Sequence, residues 1–250
     1  MFIYEMIFVI CIGLAIGSFL NVCIYRLPVN QSIVVPPSHC FACNTRLKLY
    51  DLIPVVSYIC LRGQCRYCGG DFSARYIVVE IIAASIFAWC YMVYGLSLLT
   101  VKTVIAVSFL IIIAFIDYDY HLILDKVLFW FAGIGLCINL FMANITLVDM
   151  LIASLAGGGS LLFIALLTQG GMGGGDIKFM AALGLWLGLK LTLLTLFLSF
   201  VIGGIGSLLL LAFKIKSRKD LIPFGPFIAV AAFISMLYGD DIIAWYLNLL

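Results

Sequence analysis

Residues 177–213 read IKFMAALGLWLGLKLTLLTLFLSFVIGGIGSLLLLAF, with Lys178 and Lys190 as the only charges. A bilayer crossing needs about 20 apolar residues, so this run is too long for one span and short for two. Its division decides how many times the chain crosses and on which side each loop lies. Six further apolar runs lie at 2–24, 76–99, 101–116, 127–143, 147–168 and 222–250, the last interrupted by Asp240 and Asp241. Across the 250 residues, 65% are hydrophobic and 10% are charged, with a mean hydropathy of +1.24. A soluble domain carries about 25% charge to cover its surface, so lipid must solvate most of this chain. A formal charge of +2 gives no electrostatic reason to expect nucleic acid as a partner.

Basic residues orient the spans, because cytosolic loops are enriched in Lys and Arg. The polar stretch after the first run carries Arg26, Arg46, Lys48, Arg62, Arg66 and Arg75, which places it in the cytosol. Alternation puts Lys126 and the 170–178 loop inside and the polar segment at Asn144 outside. A single crossing by 177–213 would leave Lys214, Lys216, Arg218 and Lys219 outside. Two crossings, turning near 188–190, return them to the cytosol. The expected fold is therefore an all-α polytopic membrane protein. It has about eight transmembrane helices, a small cytosolic loop domain between the first two, and both chain ends facing outward. Residues 3–24 lack a basic leader and a small-residue cleavage site, so they read as a span that stays. The division is 1–25 for the first helix, 26–75 for the loop domain and 76–250 for the remaining helices.

Cys40-Phe-Ala-Cys43 and Cys65-Arg-Tyr-Cys68 can place four thiolates around one tetrahedral ion, which makes a closed, structural zinc site. A reducing cytosol argues against lasting disulfides here. Cys60 is left free, and Cys11, Cys23, Cys90 and Cys137 are expected as small core side chains. The recurrent glycines, Gly13/Gly17, Gly157–Gly159 and Gly203/Gly204/Gly206, suit close helix packing in lipid.

Two acids then stand out. Asp117 ends its apolar run and Asp176 opens the next one on the same cytosolic face, inside Gly173-Gly-Gly175-Asp176-Ile-Lys178. Carboxylates at a membrane boundary are costly and point to function. Two brought together share a proton, so one can act as base on a water while the other polarises a carbonyl. Asp117 is preferred to Asp119 and to Asp125, which is placed to cap the following helix. The plain alternative for Asp117 is an interfacial boundary residue. His39 and His121 form no nucleophilic triad with Ser or Cys, and no HExxH string is present.

These motifs resemble the bacterial type IV prepilin peptidases along nearly the whole chain. The likeness runs from Gly17-Ser-Phe-Leu-Asn21-Val-Cys-Ile-Tyr-Arg26-Leu-Pro28 through both cysteine pairs and Arg75-Tyr76 to Glu80. It continues through the Asp117 segment and the Gly173–Lys178 segment. The resemblance implies a bifunctional GxGD-type aspartic protease of the bacterial cytoplasmic membrane. Such an enzyme cuts type IV prepilins or pseudopilins after a glycine on the cytosolic side and then methylates the new N-terminus with S-adenosylmethionine. It further implies Asp117 and Asp176 as the catalytic pair, Gly173, Gly175 and Lys178 as the active-site loop, and Cys40, Cys43, Cys65 and Cys68 as zinc ligands. Residues 26–75 would be tied to methylation, with Asn21, Arg26 and Glu80 as candidate residues, and 76–250 would form the peptidase. One departure is Leu124, where the family usually has Pro before the acid that here is Asp125. The rival readings are a peptidase without methyltransferase activity and a carboxylate-lined transporter.

Overall fold

The computed structural model describes residues 2–169, 171–214 and 220–249. Among them every regular element is helical, and seven helices are long and apolar enough to cross a membrane. The chain is a multi-pass membrane protein. It divides into two compact units, Met1–Ile112 and Ile113–Leu250.

The first unit pairs α1 (Phe2–Arg26) with α3 (Arg75–Tyr94). Lipid offers no hydrophobic drive between helices, so the backbones must approach closely to gain dispersion contact. Gly13 and Gly17 permit that approach: a Cβ on Gly13 would lie 2.6 Å from Ala84 Cα, and one on Gly17 2.8 Å from Glu80 Cα. Between these helices the loop holds a short 3-10 turn (Leu49–Leu52) and α2 (Val56–Cys60). α4 (Leu98–Tyr120) begins in this unit and ends in the second.

The second unit contains α5 (Asp125–Met142), α6 (Leu147–Leu167), α7 (Gly174–Ala212) and α8 (Gly225–Leu247). α7 is two helices joined at Gly188, whose φ of 71° and ψ of 174° are not helical. The join is a reversal. A Cβ on Gly157 would lie 2.8 Å from Thr192 Cγ2 and 3.1 Å from Met180 Cγ. Those two side chains therefore sit within roughly 6 Å of each other, whereas twelve residues of straight helix span about 18 Å. The expected turn near 188–190 is present, and it divides α7 into two segments that run back past each other. Side chains satisfy the backbone groups that the break exposes. Asn139 Nδ2 donates to Leu185 O and Trp186 O at 2.7 and 3.1 Å, and the Leu189 N–H donates to Asp149 Oδ2 at 3.2 Å.

Other expectations change. Asp117 does not end its helix: α4 runs on to Tyr120, and His121, at φ 50°, closes it by donating its N–H to Asp117 O. Asp125 does not cap α5, since Leu124 is the N-cap and Asp125 is the first helical residue. Its carboxylate is instead taken by Lys178 Nζ at 2.8 and 2.9 Å. Cys23 and Cys90 are buried, but Cys11 and Cys137 are exposed on the outer faces of their helices, where lipid makes an outward thiol inexpensive. Gly159 and Gly204 have no close neighbour, unlike the other glycines of their clusters. The last run is one helix through Asp240, which pairs with Lys190 Nζ at 2.7 Å. Gly170, Lys216, Arg218 and Lys219 lie outside the described residues.

Candidate active site, metal centre and cavity

In the second unit Asp117 and Asp176 are 6% and 9% exposed, and they lie close enough for the charge on Asp117 to act on Asp176. Asp117 sits one turn before the end of α4, and Asp176 is the third residue of α7. Asp117 Oδ2 accepts the N–H of Gly225, the first residue of α8, at 2.9 Å. Among the described groups, Asp176 Oδ1 is buried without a hydrogen-bond partner.

The glycines around the pair have unequal tasks. A Cβ on Gly173 would lie 2.9 Å from Asp176 Oδ2, and one on Gly175 would lie 2.9 Å from Ile123 Cβ. Gly174 faces open space. A side chain on Gly225 would meet Asp117 Oδ2 at 2.6 Å. Ile123, in the short segment after α4, is buried. It thus docks that segment onto the start of α7, and the Lys178–Asp125 pair links the same two regions at the surface. Gly225 was missed in the sequence. Its signal was the string Pro223-Phe-Gly-Pro226, a helix-start pattern with Pro in the first turn.

In the first unit the two cysteine pairs fold as matching knuckles. Cys40 N–H donates to Thr45 O and Asn44 N–H to Cys40 O; Cys65 N–H donates to Gly70 O and Gly69 N–H to Cys65 O. Asn44 and Gly69 occupy the same left-handed position at φ 53° and 71°, and isolated bridges His39–Arg46 and Gln64–Asp71 close the two loops. The four Sγ atoms all lie within 4.8 Å of one another, and Cys40 Sγ is 3.8 Å from Cys68 Sγ. Four sulfurs about 2.3 Å from a tetrahedral zinc stand about 3.8 Å apart, so the donor set and its spacing fit that ion. Hydrogen bonding to Thr45, through its hydroxyl and its backbone, holds the Cys43 thiol down to about 6. The Gly70 N–H favours the Cys68 thiolate, yet the crowded thiols of Cys43, Cys65 and Cys40 push Cys68 up to about 12.

Asn21, Arg26 and Glu80 line one cavity of about 480 Å³ inside the first unit. Asn21 Nδ2 donates to Tyr76 O at 2.9 Å and so ties α1 to α3. Arg26 Nη1 donates to Ser32 O and Pro36 O at 2.9 and 2.7 Å, which fixes the path of the chain leaving α1. Glu80 Oε2 accepts the Val55 N–H at 2.7 Å. Val55 has φ 62°, a conformation costly for a β-branched residue. The Val56 N–H donates to Pro54 O across it in a tight γ-turn.

Two family profiles match this sequence. The bacterial Peptidase A24 N-terminal domain matches residues 11–94, and the type IV leader peptidase family matches residues 104–208. A prepilin leader peptidase/N-methyltransferase of Bacillus subtilis (strain 168) is 35% identical over 238 residues, covering 95% of this chain and 96% of the relative. Proteins of the same name from Pseudomonas putida and Legionella pneumophila are 33% and 32% identical, over 96% and 94% of this chain and 92% of each relative. No solved structure matches the chain.

Proposed function

We propose, from the premise that this chain belongs to the type IV leader peptidase family, that it is a prepilin peptidase and N-methyltransferase of a bacterial cytoplasmic membrane. Its substrates are type IV prepilins or pseudopilins, cut after a glycine on the cytosolic side and then methylated at the freed N-terminus. The observation that carries this reading is the pair of buried carboxylates, Asp117 and Asp176, near the ends of two helices, each with a glycine close against its carboxylate. Residues 26–75 serve methylation together with Asn21, Arg26 and Glu80 of the flanking helices, and the remainder of 76–250 serves cleavage.

Two buried carboxylates brought together in the working site share one proton. The ionised partner takes a proton from a water whose oxygen bonds to the scissile carbonyl carbon, while the other gives its proton to the carbonyl oxygen. Collapse of the tetrahedral adduct re-forms the C=O and breaks the C–N bond: the proton lent to the carbonyl oxygen returns to the carboxylate that gave it, and the proton gained from water goes to the leaving amine. Gly225 holds Asp117 during these transfers through its N–H, and Ile123 and the Lys178–Asp125 pair hold the backbone of Asp176. Cys40, Cys43, Cys65 and Cys68 are the residues that would hold zinc, which shapes the loop as a closed structural site. S-adenosylmethionine supplies the methyl group.

Mass spectrometry of a prepilin-like substrate co-expressed with the protein reports both steps at once. Loss of the leader together with one added methyl group is expected. An intact substrate beside a folded, membrane-inserted protein would sink the peptidase reading, and a cut but unmethylated product would leave a peptidase alone.

A further inference from the structure

The cavity in the first unit has an unusual balance of charge. Glu80 is 6% exposed, and the groups that bond it among the described residues are neutral, the Val55 N–H and the Ser18 hydroxyl. Asp51, on the rim, is by contrast already engaged by Arg66 Nε at 2.7 Å and by the Tyr67 hydroxyl at 3.1 Å. A buried carboxylate matched only by neutral donors is costly, and a cation placed in the same cavity relieves that cost. Aromatic rings stand around it: Tyr25 against Phe41 at 4.8 Å, and Phe72 against Tyr76 at 6.4 Å. Ring faces attract cations and stack on flat heterocycles. Arg26, 8% exposed, adds a guanidinium whose planar fork suits a carboxylate. A volume of about 480 Å³ suits a single small-molecule ligand.

We propose that this cavity seats the methyl donor, with Glu80 facing the sulfonium of S-adenosylmethionine, Arg26 its carboxylate, and the aromatic walls its purine. The proposal rests on the methyltransferase reading above and adds the site and the residue roles. It also gives the cysteine cluster a task. Phe41 lies between the ligand residues Cys40 and Cys43 and packs on Tyr25 of α1, so the first knuckle forms a wall of the cavity. Metal at the knuckles would hold that wall in place without touching the donor.

The test begins with wild-type protein in lipid nanodiscs, irradiated with S-adenosylmethionine labelled in its methyl group and then digested. Label is expected on peptides containing Tyr25, Tyr58 or Tyr76. Label confined to residues 113–250 overturns the site. If the same protein still methylates a co-expressed prepilin, only the site is wrong and the function stands; if it neither binds donor nor methylates, both fail. Equilibrium dialysis with Glu80→Gln provides the second arm. The amide oxygen can still accept the Val55 N–H, but the charge is gone. Affinity for S-adenosylmethionine should fall roughly tenfold, while S-adenosylhomocysteine, which lacks the sulfonium charge, should change less than about threefold. Equal losses for both ligands, or no loss for either, overturn the role given to Glu80. Zinc content measured on the variant checks that its loop is folded.

Discussion

The 26–75 loop and the helices after residue 113 keep their functional side chains in place by different physics. Between residues 27 and 75 only Cys40, Gly63 and Cys65 are buried, while Leu49, Tyr50, Val56 and Ile59 are exposed. So little buried apolar surface cannot offset the entropy of ordering that many residues. Metal binding is how small domains meet this deficit, and here it would add to the side-chain bonds from Arg26 and Glu80. The later helices need no such clamp. Trp186, Phe131, Phe179, Met180 and Leu183 are fully buried. Trp186 stacks on Phe131 at 5.2 Å and donates to Phe131 O at 2.8 Å, and it occupies the space that a side chain on Gly135 would fill. The loop is therefore sensitive to ligand chemistry, and the bundle to single methyl groups at glycine.

The largest effect should come from the acids. Asp117→Asn and Asp176→Asn should each lower cleavage by on the order of 10³-fold or more, with Asp119→Asn and Asp125→Asn milder. The two dyad variants should still methylate a peptide supplied with the mature N-terminus, measured by transfer of a labelled methyl group. Complete loss of both activities in a folded variant would erase the division between the regions. Next, Cys40→Ser or Cys65→Ser should lose zinc by elemental analysis, expose the loop to protease and impair methylation more than cleavage. Cys60→Ser should do none of this, because its thiol is outside the cluster. Acid should release the metal, since protons compete for the thiolates.

Glycine changes sharpen the contrast on the bundle side. Gly225→Ala and Gly173→Ala press a methyl against Asp117 and Asp176, and a shift of about 1 Å at a reacting group can cost on the order of 10²-fold in rate. Gly174→Ala, which meets open space, should stay within about twofold of wild type in the same cleavage assay. Equal losses at all three would mean that the glycines serve the backbone and not the acids. The smallest effect concerns Asp51. Burial raises its pKa, but hydrogen bonds from Arg66, the Lys48 N–H and Tyr67 outweigh this and hold it below the ordinary value. A lowered folded pKa contributes stability above the unfolded value near 3.9, and that stability is lost as pH falls through the folded value. Asp51→Asn should therefore make protease resistance of the loop less dependent on pH below about 4. An unchanged profile would show that the Asp51–Arg66 pair contributes nothing there.

The sequence alone was enough for the all-helical membrane fold, the reversal at Gly188 and the two cysteine knuckles. Each of these depends on composition, on the side to which positive charges belong, or on residues within four positions of each other. The tertiary structure alone decided that Gly225 holds Asp117, that Glu80 reaches across to Val55, and that Gly174 faces open space where Gly173 and Gly175 do not. It also decided that Asn139 and Asp149 bind the backbone on either side of the break in α7, and that Asp117 lies inside its helix. The reason lies in the kind of interaction. Hydropathy and charge act through the average surroundings of a segment, which the local sequence specifies. A hydrogen bond or a missing methyl acts at a few ångströms between groups as many as 108 residues apart, as for Gly225 and Asp117, and only packing brings those groups within reach.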